Sequence, residues 1–180
     1  QHVQTPPSTV AAQGVSGAGA SAPALVSDTC TLVPIALNVQ TLTGIAFGSA
    51  LPDVLNGTQP TNFGWLTWTG ATDDAVLAKS LTPPGDAATY VNPTKSTDHV
   101  VSSSDWVRAR PGVANSDVIR AALDVLKTTD VDVAVWDQAK ATGSTAQYHV
   151  AYFARIRLTD YQLPAQDRLS ALLIGFTTCG

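Results

Sequence analysis

The feature that most constrains this fold is a long segment with two-residue periodicity, residues 147–158. One side of it carries Tyr148, Val150, Tyr152, Ala154, Ile156 and Leu158, and the other carries His149, Ala151, Phe153, Arg155 and Arg157. Successive side chains of a β-strand point to opposite faces of the sheet, so this alternation predicts a long strand with one apolar face.

Other segments also have strand patterns. Residues 31–39 alternate, and Pro34 lacks a backbone N–H, so a first or edge strand is expected there. An aromatic strand is predicted within residues 62–70 and a final strand within residues 168–178. Residues 130–136 alternate valine with other residues, which predicts a half-buried strand with Asp130 and Asp132 on the solvent face of a sheet edge.

Helical signals are fewer. Residues 116–127 have an apolar stripe at helical spacing after the N-cap candidates Asn115 and Ser116, and residues 75–80 form a shorter candidate capped by Asp73 or Asp74. The stripe consists of Val118, Ile119, Ala122, Leu123, Val125 and Leu126. Helices do not alternate regularly with strands, which argues against a parallel doubly wound sheet. Met, a good helix former, is absent, which also favours strands. The prediction is a mainly β protein, an antiparallel sandwich or barrel-like fold, with one clear helix and one short helix.

Composition limits the domain count and the partners. The 180 residues carry a net charge of -4, and the basic residues are scattered, which argues against nucleic-acid binding. No segment reaches the roughly 20 apolar residues of a membrane span. Residues 1–29 are mostly small and hold a single acid, Asp28, so we expect an extended leader followed by one β-rich domain over residues 30–180.

The cysteines and the absent methionine indicate export. A chain without Met at position 1 is processed or artificially shortened, and we expect a mature secreted chain that begins at Gln1. Cys30 and Cys179 would pair in an oxidising compartment, the alternative being two separate thiols. Asn56 begins a possible glycosylation sequon.

Chemical motifs are weak, and we predict no catalytic residue, cofactor or metal. His149 and Asp137 would face each other across a hairpin, and residues 102–104 supply serine hydroxyls for a triad. Asp98 and His99 are interpreted as a loop pair. Calcium at Asp73 and Asp74, or at Asp130 and Asp132, is left open, although neither pair has EF-hand spacing and Asp73 and Asp74 are better explained as a helix N-cap.

The four tryptophans could form a sugar platform but are more often core or rim residues. Two of them, Trp65 and Trp68, are expected on opposite faces of one strand, and the others are Trp106 and Trp136.

Several phrases occur together in residues 62–160: Asn-Phe-Gly-Trp-Leu from 62, Tyr-Val-Asn-Pro from 90, Asp-Trp-Val from 105, Val-Ala-Val-Trp-Asp from 133 and Tyr-His-Val-Ala-Tyr-Phe-Ala from 148. Their order resembles the extracellular C-terminal region of bacterial Tad (Flp-type) pilus-assembly-related proteins, the TadE/TadG-like group. The resemblance implies a pilus-associated role and carries no catalytic residues. Such proteins usually have an N-terminal membrane helix, and the small-residue leader here implies a released, secreted relative.

The leader suggests the function. A small, β-compatible segment can insert as an extra strand into a neighbouring subunit, and head-to-tail insertion builds a fibre of identical subunits. The expected donor positions are Val3, Thr5, Thr9, Val10, Val15, Ala20, Ala24 and Val26. The expected function is a structural subunit of an extracellular filament. The alternatives are a monomeric adhesion or glycan-binding module that binds surface glycans, and lastly a secreted hydrolase. The leader could also pack on its own domain.

Overall fold

The computed structural model describes residues 30–52, 54–55, 63–112, 114–163 and 167–179. The described strands are β1 (Leu32–Asn38), β2 (Val54–Leu55), β3 (Phe63–Trp65), β4 (Trp106–Arg108), β5 (Asp130–Lys140), β6 (Gln147–Gln162) and β7 (Arg168–Thr177). The described α-helices are α1 (Val39–Leu42), α2 (Asp74–Leu81) and α3 (Asp117–Leu126). The predicted mainly β class is confirmed, and so are the one clear helix and the short helix.

All seven strands belong to one sheet, in the order β2-β7-β6-β5-β1-β3, with β4 paired to the beginning of β6. The β1–β5 pair is parallel and the other pairs are antiparallel, so the sheet is mixed. It does not close into a barrel. Backbone N–H groups of Thr67 and Arg110 donate to the carbonyls of Arg108 and Trp65, which ties the end of β3 to the end of β4.

Of the two positions expected for β1, the edge position is wrong, because β1 lies between β5 and β3, but β1 is the first strand of the described chain. Its proline fits there because the β1–β5 register shifts between Leu32 and Ala36, and Pro34 lies in that irregular stretch. The carbonyl of Pro34 accepts from the N–H of Leu66 at 2.8 Å. A proline is therefore compatible with an interior strand where the ladder is already interrupted.

The helices cover the first face of the sheet. In α3, four residues spaced for one helical face are buried among the valines and leucines of β1, β5 and β6, namely Ile119, Ala122, Leu123 and Leu126. The apolar stripe predicted for this helix included two residues that are not buried. Val118 and Val125 are 50% and 45% exposed because they lie one position outside that face.

The second face of the sheet has its own core. Leu66, Trp68 and Tyr90 pack there against residues of β5 and β6 such as Ala134 and Phe153. Both faces of β5 are consequently covered from Val131 to Trp136, so the predicted half-buried strand is buried on both sides.

Two bulges change which residues of β6 share a face. Val135 pairs with Tyr152 but Trp136 pairs with Val150, which leaves Ala151 as an extra residue in β6. Asp137 is the corresponding extra residue in β5. The alternation therefore reverses at Ala151. Tyr152 packs on the first core, whereas Val150 lies in the second, which corrects the prediction that they share a face.

Candidate functional site

The two cysteines form the predicted disulfide. Cys30 and Cys179 are bonded across a sequence separation of 149 residues, and their Cα atoms are 5.8 Å apart. The bond joins the start of β1 to the segment after β7, and Cys179 lies in the second core. It therefore fixes the two ends of the described chain against the sheet.

Beneath the disulfide, two aspartates of β5 form ion pairs with β6. Asp132 is fully buried, and its carboxylate accepts from Arg155 Nε at 2.8 Å and Nη2 at 2.9 Å. The same carboxylate accepts from the backbone N–H of Thr31 at 2.8 Å. Asp130 accepts from Arg157 Nε at 2.7 Å. The predicted edge position is wrong for both, because β5 is an interior strand; the Asp132 side chain is fully buried, whereas the Asp130 side chain is 35% exposed.

The other aspartates considered for calcium are also accounted for. Asp74 pairs with the buried Arg110, while Asp73 occupies the N-cap position of α2 without a side-chain capping bond. Within the described ranges, the single group with three potential ligand atoms within 4.8 Å is Cys30, Asp132 and Cys179. Both sulfurs of that group are in the disulfide, and the carboxylate is bonded to arginine, so its donor set does not suit a cation.

The tryptophans do not share a surface. Trp65 lies in the first core and Trp68 in the second, on opposite faces of the sheet as predicted, but β3 ends at Trp65, so the two do not share one strand. Trp136 is 7% exposed and lies 4.9 Å from the ring of Tyr148. Trp106 lies outside both cores, next to His149. A flat sugar platform built from several of the tryptophans is therefore not formed.

The structure brings together the predicted His149–Asp137 pair. His149 Nδ1 lies 2.6 Å from Asp137 Oδ1, and the imidazole lies 5.2 Å from the ring of Trp106. Lys140 Nζ sits 4.0 Å from the centroid of that indole. Within the part of the chain that the structure describes, no serine hydroxyl hydrogen-bonds to His149. The geometry is a charged and aromatic surface stack, without the nucleophile that a triad needs.

Asp98 and His99 are loop residues with separate partners. His99 Nδ1 lies 2.7 Å from the carbonyl oxygen of Tyr90. Asp98 accepts from the Val100 N–H and from Asn92 Nδ2, each at 3.1 Å. These hydrogen bonds, the Val100 bond first, lower the pKa of the Asp98 carboxyl below its usual 3.8. The pair is therefore explained by loop structure.

The last four residues of β7 have an outer side that no described residue pairs with. Backbone bonds from Gly48, Leu51 and Leu173 cover the strand as far as Leu173, and β2 covers its beginning. Among the described residues, no strand or bridge pairs with residues 174–177 on the side away from β6. We call these four residues the open edge.

An aromatic group flanks the open edge on the first face, and we call it the aromatic ledge. The rings of Phe47 and Tyr152 pack edge-on against Phe176, with centroids 5.5 and 5.4 Å away respectively. Phe47 is 45% exposed, and burial raises the pKa of the Tyr152 phenol above its usual value. An apolar surface therefore lies directly beside unpaired backbone.

The sequence contained a signal for the open edge. Residues 171–178 carry no charge and no proline, although edge strands are usually protected by such residues. Pattern analysis identified the last strand but not its position in the sheet. The eight predicted donor residues from Val3 to Val26 and the sequon residue Asn56 lie outside the described residues.

In the described part of the chain, no helix has the length and apolar character needed to cross a membrane. Comparison with known proteins finds no matching protein-family model, no similar curated protein and no similar solved structure.

Proposed function

We propose that this chain is a secreted structural subunit of an extracellular filament, in which residues 1–28 of one copy pair with the open edge of the next. The observation that carries the proposal is the open edge beside the aromatic ledge: residues 174–177 carry no charge and have no partner among the described residues on the side away from β6. We assign one occupant to the open edge, which is the N-terminal segment of a second copy of the chain.

The backbone provides the first part of the argument. Unpaired N–H and C=O groups along an edge are a template for another strand, and β-augmentation satisfies them with main-chain hydrogen bonds. The open edge has four residues, within the usual range of strand lengths. A charge or a proline at residues 171–178 would oppose pairing, and the sequence has neither.

The side chains provide the second part. A donor strand would place alternate residues on the aromatic ledge, where small or β-branched side chains fit against exposed rings. The N-terminal segment supplies such residues, for example Val10 and Val15, and only one acidic residue, Asp28. Donation from one copy to the next is a head-to-tail contact, which produces a fibre when the rotation between successive copies does not close into a ring.

The setting of the filament follows from the disulfide and the resemblance to TadE/TadG-like proteins. Disulfides persist in oxidising compartments such as the cell exterior. The Cys30–Cys179 bond lies directly after the N-terminal segment, so a force that pulls on that segment would act on a covalent cross-link of the domain. We assign the protein to the cell surface or the extracellular medium.

The direct test compares the whole chain with a variant that lacks residues 1–28. Electron microscopy and gel filtration should show fibres for the whole chain and a folded monomer for the deletion variant. A whole chain that remains monomeric at all concentrations would overturn the proposal, because the segment would then pack on its own domain. Fibres formed by the deletion variant would also overturn it.

A pair of point variants tests the acceptor. Phe47→Lys places a charge on the aromatic ledge, and Val118→Lys places the same charge on α3 at a similarly exposed apolar residue. Both should fold, since exposed substitutions usually change stability by less than about 0.5 kcal/mol. Only Phe47→Lys should block fibre formation. Equal polymerisation by the two variants would contradict the assignment of this edge.

A further inference from the structure

A cleft of about 260 Å³ opens beside the disulfide, where the start of β1 meets the segment after β7 and the loop of residues 99–101. Its floor is buried and apolar, and it consists of Leu32, Val101 and Cys179. Pockets for drug-sized ligands start near roughly 300 Å³, so this cleft is matched to one or two aliphatic side chains.

The rim of the cleft is exposed, and it is apolar except for one side chain. Val100 is 54% exposed, the largest exposed fraction of any large apolar side chain in the described part of the chain. Cys30 and Ala88 are exposed in the same lining, and His99 supplies its one titratable group. Covering apolar surface is the main favourable contribution to association, so the cleft favours an apolar occupant.

Chain connectivity identifies that occupant. Cys30 is itself a lining residue, so the N-terminal segment is covalently attached to the wall of the cleft. Leu25 and Val26 are the only adjacent pair of large aliphatic residues in residues 1–29. Leu25 precedes Cys30 by five residues and can reach up to about 18 Å from it, which exceeds the dimensions of a cleft of about 260 Å³.

The short tether also lowers the cost of docking. A flexible connection of four or five residues gives the attached side chains an effective concentration in about the millimolar range, without any partner molecule. The disulfide bond to Cys179 holds Cys30 against the second core, so few residues have to be ordered. A modest apolar contact is therefore sufficient.

The polar atoms of the rim are compatible with this occupant. His99 Nδ1 lies 2.7 Å from the carbonyl oxygen of Tyr90, so Nδ1 carries the proton and donates to that oxygen. The Nε2 atom of the neutral imidazole is then an acceptor. Ser27 and Thr29, which follow the aliphatic pair, provide hydroxyl and backbone donors for it.

We infer that the cleft beside the disulfide holds Leu25 and Val26 of the same chain, which fixes the point where the N-terminal segment leaves the domain. Docking does not depend on the filament proposal, because it takes place within one copy. Of the donor positions expected from the sequence, Ala24 and Val26 would then lie on their own domain. The six from Val3 to Ala20 remain available to the open edge of a neighbour, which has only four residues.

Protease protection tests the inference in the whole chain. Leu25 is the one leucine or aromatic residue in residues 1–29, so chymotrypsin has a single preferred site there. The chain carries Phe47→Lys, which keeps copies separate if the filament proposal is right, and mass spectrometry follows cleavage after Leu25. Cleavage should be about tenfold or more slower than in a synthetic peptide of residues 18–29.

Two exposed valines provide a variant and its control. Val100→Ser should speed cleavage after Leu25 about threefold to tenfold, as expected when a valine loses its apolar contact. Val118→Ser changes a valine of similar exposure on α3 and should leave the rate unchanged. Both should fold, since both side chains are exposed. Nuclear Overhauser contacts between the methyl groups of Leu25 and Val100 should be seen without any protease.

Three results would overturn the inference: cleavage as fast as in the free peptide, equal rates for Val100→Ser and Val118→Ser, or protection that disappears on dilution. The last result would assign the cleft to the segment of a second copy. Failure of the filament proposal is seen separately, as the absence of fibres from the unmodified chain, and it would leave the protection of Leu25 unchanged.

Discussion

The buried ion pair between Asp132 and Arg155 makes a quantitative prediction about stability. Asp132→Asn preserves the size of the side chain and removes its charge. The carboxylate has no exposed surface, and the partner arginine side chain is 14% exposed. The variant therefore leaves the nearly buried guanidinium without the Asp132 carboxylate. The NH2 group of the new asparagine side chain, itself a donor, must also face an N–H donor of Arg155 or of Thr31.

The size of the effect follows from that burial. Removing one partner of a buried ion pair costs about 3–5 kcal/mol, because the remaining charge stays desolvated. For a chain of this size, 1 kcal/mol lowers Tm by about 2–4 °C, so we expect a fall on the order of 10 °C. The neighbouring pair provides a control, since Asp130 and Arg157 side chains are 35% and 39% exposed. Asp130→Asn should cost less than about 1 kcal/mol.

Urea unfolding followed by tryptophan fluorescence measures both variants. The double variant Asp132→Asn with Arg155→Met should regain part of the loss, because it removes the stranded charge. Equal, small losses for Asp132→Asn and Asp130→Asn would refute the reasoning, since burial is the physical difference between the two pairs.

Two further predictions concern the disulfide and alkaline pH. Reduction should lower the free energy of unfolding by about 5 kcal/mol on the loop-entropy model, and the double variant Cys30→Ser, Cys179→Ser should not respond to reductant in the same urea assay. Burial, with Asp105 adding to it, raises the pKa of the Tyr90 phenol well above its ordinary 10.0. Because the folded-state pKa is raised, the contribution of the neutral Tyr90 phenol to the free energy of unfolding is complete below pH 10.0. That contribution is lost as pH rises toward the folded-state pKa. The free energy of unfolding of Tyr90→Phe should therefore fall less steeply with pH above 10.0 than that of the unmodified chain. An equal slope for the two proteins would contradict the assignment.

The candidate site was only partly predictable. The approach of His149 to Asp137 follows from the hairpin between β5 and β6, so local spacing was enough to predict it. The open edge was not predictable, because the part of β7 that stays uncovered depends on where β2 and residues 48–51 pair along it, and those contacts are distant in sequence.

Bulges limited the face assignments for a different reason. Side-chain alternation has a period of two, so one extra residue reverses every later position. Ala151 has this effect in β6, and nothing in its neighbours marks it as an extra residue. Burial on both faces of β5 has a similar origin, since the second core is assembled from loops and turns that pack over the sheet.

The sequence by itself determined the mainly β class, the helix at residues 117–126 and the presence of two cysteines, because periodicity and residue type act over a few neighbouring positions. Only the tertiary structure decided that β5 is interior, that Asp132 and Arg155 form a buried pair, and that residues 174–177 of β7 have no partner among the described residues on the side away from β6. These features depend on which strands meet, and that choice depends on the total burial and hydrogen bonding of the whole chain, which no single segment encodes.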